Sequence, residues 1–167
     1  MSDEINSPAV KSHVMSDKNA AGNIIQILAN LPDFLRRPMM QGRLKEFFAM
    51  SEEGRRETIS MALAAAPTID PPKLAVLVKT WLEIISDFEP ERRSVMFKVY
   101  SQQVLANSGS IQRLDFGSLT DTFTSLNDKR KQALTDSLNE TLFSMPNRQA
   151  ILKLIPDHTQ RALKLRS

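Results

Sequence analysis

Apolar residues recur along this chain in two nested rhythms. The shorter rhythm is helical: Ile24, Ile25, Leu28 and Leu31 fall at the spacing of one helix face, and that spacing returns down the chain. The longer rhythm has a period of nineteen. Leu31, Met50, Ile69 and Phe88 stand nineteen apart, Leu126 follows at twice that distance, and Met145 comes nineteen later. The skipped register lands on Asn107, inside the loop-like Ala106-Asn-Ser-Gly-Ser110, so seven registers are present and one is degenerate.

The polar positions keep the same beat. Each marker is followed by Pro32, Ser51, Asp70, Glu89, Ser108, Asn127 or Pro146, mostly residue types that suit a helix N-cap or first turn. Glu52, Glu53, Glu91 and Asp128 then place negative charge at the positive end of a helix. Nine residues past the markers stand Met40, Ile59, Val78, Phe97, Phe116, Thr135 and Leu154. Seven later stand Phe47, Ala66, Ile85, Val104, Phe123, Leu142 and Arg161, with Leu44, Leu63, Leu82, Leu119 and Leu138 between the two columns. Each register therefore predicts one amphipathic helix of about fifteen residues, roughly 22 Å long. Starts are expected within two or three residues of positions 51, 70, 89 and 127. Pro38 and Pro156 are expected to split the first and last registers into two short helices each.

Helices this short need neighbours to bury their apolar faces. The predicted fold is a single all-α domain, a right-handed superhelical α-solenoid or a compact helical bundle with a nineteen-residue repeat. Residues 1–19 are polar and read as a disordered N-terminal arm, leaving 20–167 as the helical-repeat domain. A second Met-Ser-Asp at Met15–Asp17 offers an alternative start.

Three units show the repeat most plainly: Ala49-Met-Ser-Glu-Glu-Gly-Arg-Arg-Glu-Thr-Ile59, Asp87-Phe-Glu-Pro-Glu-Arg-Arg-Ser-Val-Met-Phe97 and Phe143-Ser-Met-Pro-Asn-Arg-Gln-Ala-Ile-Leu-Lys-Leu154. Each runs from an apolar residue through a capping residue or Pro to Arg, and then into an apolar run. This style, over residues 31–163, resembles the short-helix units of the N-terminal domain of MgtE-type magnesium transporters and of the flagellar switch protein FliG. The resemblance implies an armadillo-like scaffold that acts by contacting other domains or subunits. The transporter's membrane part and metal-binding acidic cluster have no counterpart in the sequence.

Composition narrows the chemistry. There is no cysteine, which removes disulfides and thiolate sites, and only two histidines, His13 and His158. Asp157 and His158 are adjacent, so a helix would not bring their side chains face to face. The acidic groups Glu52, Glu53 and Glu57, and Glu83, Asp87, Glu89 and Glu91, sit at helix starts and on solvated faces. No phosphate loop or metal motif occurs, so the expectation is a non-enzymatic protein without cofactor or metal. No apolar run approaches the roughly 20 residues of a membrane span, and a cytoplasmic location is expected.

Net charge is only +3, but the basic residues are placed periodically. Arg36, Arg37, Arg55, Arg56, Arg92, Arg93, Lys129, Arg130, Lys131 and Arg148 lie in or near first helical turns, where the helix dipole disfavours them. Stacked helices would turn them into a ladder able to hold a partner or an anion. They would equally serve as hydrogen-bond donors to the exposed carbonyls of the preceding helix, or bury their stems between helices. The only Trp, Trp81, falls within an apolar face rather than on a stacking surface. Pro38, Met39 and Met40, with Phe47 and Phe48, suggest either core packing or an exposed apolar patch. The expected function is protein–protein interaction or scaffolding with another protein as partner. Nucleic-acid or polyanion binding through the basic ladder is the alternative.

Overall fold

The computed structural model describes residues 22–166, which are all-helical, with no strand among the described residues. Helix α1 covers 22–30. It is followed by α2 (Asp33–Ala49), α3 (Glu52–Ala65), a 3₁₀ turn at Ala66–Thr68, α4 (Pro71–Ser86) and α5 (Pro90–Ala106). Then come α6 (Ser108–Gln112), α7 (Phe116–Thr124), α8 (Asp128–Phe143), α9 (Arg148–Lys153) and α10 (Asp157–Ala162). The expected arm over 1–19, with His13 and the second start at Met15, lies outside the described residues.

The helix boundaries follow from local chemistry. Ser51 caps α3 by accepting the Gly54 N–H at 3.1 Å, and Asn127 caps α8 by accepting the Arg130 N–H at 2.9 Å. Helices α4 and α5 open instead on Pro71 and Pro90, whose missing N–H is no loss at a first helical position. The apolar markers close the preceding helices. The N–H groups of Met50, Ile69, Phe88, Leu126 and Met145 each return to the carbonyl three residues back, all at 3.1 Å. One marker thus ends a helix, and the next residue caps the following one.

Two sequence expectations fail. Pro38 does not split its register, because α2 runs unbroken across it. Proline there removes the hydrogen bond to the Phe34 carbonyl, on a helix face where Phe34 is 74% exposed and solvent can take the lost donor's place. The segment around Asn107 is not a loop either. It forms the five-residue helix α6, whose Ile111 is buried. Pro156 does split the last register, into α9 and α10.

Successive long helices alternate between two rows. In one row α3 packs on α5, and α5 on α8; in the other α4 packs on α7, and α7 on α10; α4 also packs on α8 across the two rows. Near the C-terminal end of α4, Arg37 of α2 pairs with Glu83 at 2.9 Å and the Phe48 ring meets Phe88 at 5.7 Å. The main core runs from Leu28 to Leu134, and a smaller cluster joins Leu142, Met145, Ile151 and Leu152. Met40, Ile59, Phe97, Phe47, Ile85, Phe123 and Leu142 from the two predicted columns are buried. Arg161, at the end of the second column, is exposed, because the split of the last register rotates it outward. Among the described residues no helix is long and apolar enough to cross a membrane.

Candidate functional site

Three features have the chemistry to act on something: the basic positions, one face of α2, and a cavity. The basic positions divide sharply. Arg36 is 6% exposed; its Nε donates to the Leu28 carbonyl at 3.0 Å, and another guanidinium nitrogen donates to the Leu31 carbonyl. Arg55 donates to the carbonyls of Phe47 and Phe48 at 3.2 and 2.6 Å, with its guanidinium 5.8 Å from the centre of the Phe47 ring. Arg93, 8% exposed, donates to the carbonyls of Ser86 and Phe88 and, at 2.8 Å, to the Ser137 hydroxyl. These three stand five residues after their markers and reach back over the turn to the carbonyls that end the previous helix. Their positive charge sits at the negative end of that helix, which reverses the dipole penalty at their own.

Arg130 does the same between helices distant in sequence. It donates to the Glu83 carbonyl and to the Ser86 hydroxyl at 2.7 Å, and pairs with Asp87 at 3.2 Å. Arg148 lies over the Phe143 ring at 4.5 Å, and Lys131 pairs with Asp128 at 3.4 Å. Arg56, Arg92 and Lys129 are exposed; Arg56 stands 4.0 Å from Glu52, and Arg92 covers the Phe48 ring at 5.3 Å. The structure therefore does not gather the ten residues into one patch. One participant escaped the charge pattern altogether. Gln160 donates to the carbonyls of Leu152 and Ile155 at 2.8 and 2.9 Å, the latch of α10 on α9. Ile155 stands five residues before it, which is the one sequence signal that points to it.

Helix α2 carries the second feature. Phe34, Leu35 and Met39 are 74%, 42% and 42% exposed, and Pro38 beside them is exposed too. They share the N-terminal half of one helix face. Met40, next to them in sequence, is buried, as are Phe47 and Leu44. The Pro38–Met40 segment thus supplies both core and surface.

The third feature was not legible in the sequence. An apolar cavity of about 490 Å³ lies among α1 to α5 and α7. Its wall includes Leu28, Phe47, Leu77, Trp81, Met96 and Tyr100, with Met40, Met50 and Met61 adding flexible thioethers. The Trp81 ring contacts Tyr100 at 5.0 Å and Phe97 at 6.5 Å between centres. Enclosure among apolar side chains pushes the Tyr100 phenol up to about 12, so it keeps its proton at neutral pH. Arg43, Glu46 and Glu57 also line the cavity and are exposed, which places them at its mouth; Arg43 and Glu46 pair at 3.1 Å. His158 is exposed, and among the described residues no three His, Cys, Asp or Glu side chains are grouped to hold a metal ion.

No protein-family model, curated protein or solved structure matches this chain.

Proposed function

We propose that the protein is a non-enzymatic interaction module, a short right-handed stack of nineteen-residue helical units that docks another protein on the outer face of α2. The observation that carries this reading is the exposure of Phe34, Leu35 and Met39 on one helix face. Large apolar side chains grouped on a surface mark contact sites more often than scattered ones do. Two further facts support the stack: helix N-caps fall at Pro32, Ser51, Asp70, Glu89 and Asn127, and the long helices alternate between rows. In such an array each unit contacts chiefly its near neighbours, which leaves the outward face of each helix open to a partner.

The test is a paired capture. Phe34→Asp with Met39→Asp removes the apolar face at positions that contribute little to the core, so the melting temperature should hold within a few degrees. A partner captured from the native cell by the wild-type chain should be lost by the double variant and retained by Arg56→Glu with Lys129→Glu. The opposite pattern, with binding to nucleic acid that falls steeply as salt rises, would transfer the function to the basic residues.

A further inference from the structure

We propose that the cavity among α1 to α5 and α7 is a binding site for a small uncharged amphiphile, an apolar ring or chain carrying one hydrogen-bond-accepting oxygen. This goes beyond the docking face of α2 and does not depend on it.

Size is the first argument. At about 490 Å³ the cavity falls within the roughly 300–1,000 Å³ of small-molecule sites. Its walls are almost wholly aliphatic, thioether and aromatic. Water in such a space finds few partners, and an unfilled apolar void forfeits packing on every wall residue. An apolar body would recover both.

The second argument is a pair of unused polar atoms. Buried Trp and Tyr ordinarily direct their N–H and O–H to a partner. Here the Trp81 indole N–H and the Tyr100 hydroxyl have no hydrogen-bond partner among the described residues, and no buried side-chain polar atom is left unsatisfied. Both residues line the cavity, with ring centres 5.0 Å apart. A donor on either ring would suit a carbonyl or ether oxygen of the ligand. The protonated phenol remains a donor across the physiological range.

The third argument is charge at the mouth. Glu46 is paired with Arg43, and the Glu57 carboxylate has no ion-pair partner among the described residues. A fatty-acid carboxylate or a phosphate would meet that charge; a neutral head would not.

Prodan, an uncharged naphthalene carrying a ketone, is a suitable probe. Trp81 is the only tryptophan and lines the cavity, so energy transfer from it reports the bound probe, and the cavity variants below locate it. Saturable transfer with one site per chain is expected, together with a rise in melting temperature. Tyr100→Phe removes one oxygen without changing shape; it should weaken binding about threefold to tenfold and shift the probe's emission to the blue. Ala62→Leu, which fills part of the wall, should abolish transfer while keeping or raising the melting temperature. The anionic comparator 1-anilinonaphthalene-8-sulfonate should bind at least tenfold more weakly, and Glu57→Gln should narrow that gap. Non-saturable transfer, or affinity unchanged in both Tyr100→Phe and Ala62→Leu, would overturn the site. Equal affinity for the sulfonate would overturn the assignment to an uncharged ligand. A site found only in a dimer would give the cavity to a second copy and overturn the proposal as well.

Discussion

Arg92 and Arg93 are neighbours with the same charge and opposite environments, which makes them a test of what the basic positions do. Replacing Arg93 with Ala withdraws donors from the Ser86 and Phe88 carbonyls and from the Ser137 hydroxyl, at a site only 8% exposed. Hydrogen bonds to a charged donor contribute about 1.5–3 kcal/mol each, and a buried acceptor left without a partner costs about 1–3 kcal/mol. These terms overlap, and water entering the vacated space recovers part of them, so the net loss is about 2–4 kcal/mol. For a chain of this length that corresponds to a fall of roughly 5–15 °C in melting temperature. Arg92→Ala loses one cation–π contact at the surface, worth about 0.5–1 kcal/mol. Arg93→Lys keeps the charge but not the planar fork, and should recover less than half of the loss. Urea unfolding of the four proteins measures this, with the slope against denaturant required to stay constant. Equal, small effects at both positions would refute the latch. Full recovery by Lys would show that charge alone, and not forked donation to carbonyls, is what the position needs.

Other positions give sharper signs than sizes. Pro38→Ala restores the donor to the Phe34 carbonyl within α2 and should raise stability by about 1–3 kcal/mol; Gly42→Ala, with nothing within 4 Å of the added carbon, should add about 0.5–1 kcal/mol. Both are read by thermal melting, and a loss at either would mean that α2 is held in its shape by contacts other than its own backbone. Hydrogen bonds from the Ser118 side chain and backbone hold the Asp115 carboxyl below its ordinary value. Its contribution to stability is therefore full above the unfolded-state value and fades as pH falls through the lower folded-state value. Asp115→Asn should flatten that part of the acid limb, which pH-dependent melting detects as a smaller difference between variant and wild type at low pH. Gln160→Glu replaces a forked donor with an acceptor facing the Leu152 and Ile155 carbonyls. It should destabilise more than Gln160→Ala, by about 1–3 kcal/mol over wild type; the reverse order in a melting comparison would refute the contact.

How far the sequence could be read depended on whether a feature is local. Caps and helix ends are local, so Ser51, Pro71, Pro90 and Asn127 predicted their helices from chemistry within one turn. The buried columns were legible for the same reason, since a helix face is a matter of spacing. Pro38 misled because proline's effect depends on whether the orphaned carbonyl can reach water, a property of exposure rather than of sequence. The segment of α6 misled because Asn107, Ser108, Gly109 and Ser110 are residue types usual in loops, while the burial of Ile111 and the hydrogen bonds of Asn107 to Ser60 and to the Gln103 carbonyl anchor it as a helix. The cavity was invisible because it is defined by what no residue fills. Its walls come from six helices, and each wall residue alone reads as ordinary core.

Several of the basic positions share a donor geometry that charge alone does not describe. Arg36, Arg55 and Arg93 each follow an apolar marker by five residues, as Gln160 follows Ile155. In every case the side chain turns back over the connection to carbonyls that close the helix before. Gln160 and Arg36 even choose acceptors at the same two separations, eight and five residues back. A neutral amide meets the same need as a guanidinium, so the shared requirement is a forked donor, with charge as a supplement from the helix dipole. A short turn leaves carbonyls of the first helix exposed beside the opening turn of the second, and one long donor spans that gap. Such a latch ties α2 to α1, α3 to α2, α5 to α4 and α10 to α9. Arg36, Arg55 and Arg93 stand five residues past Leu31, Met50 and Phe88, whereas Leu74, Lys131 and Ala150 hold that place after Ile69, Leu126 and Met145, so the donor belongs to particular turns and not to every register.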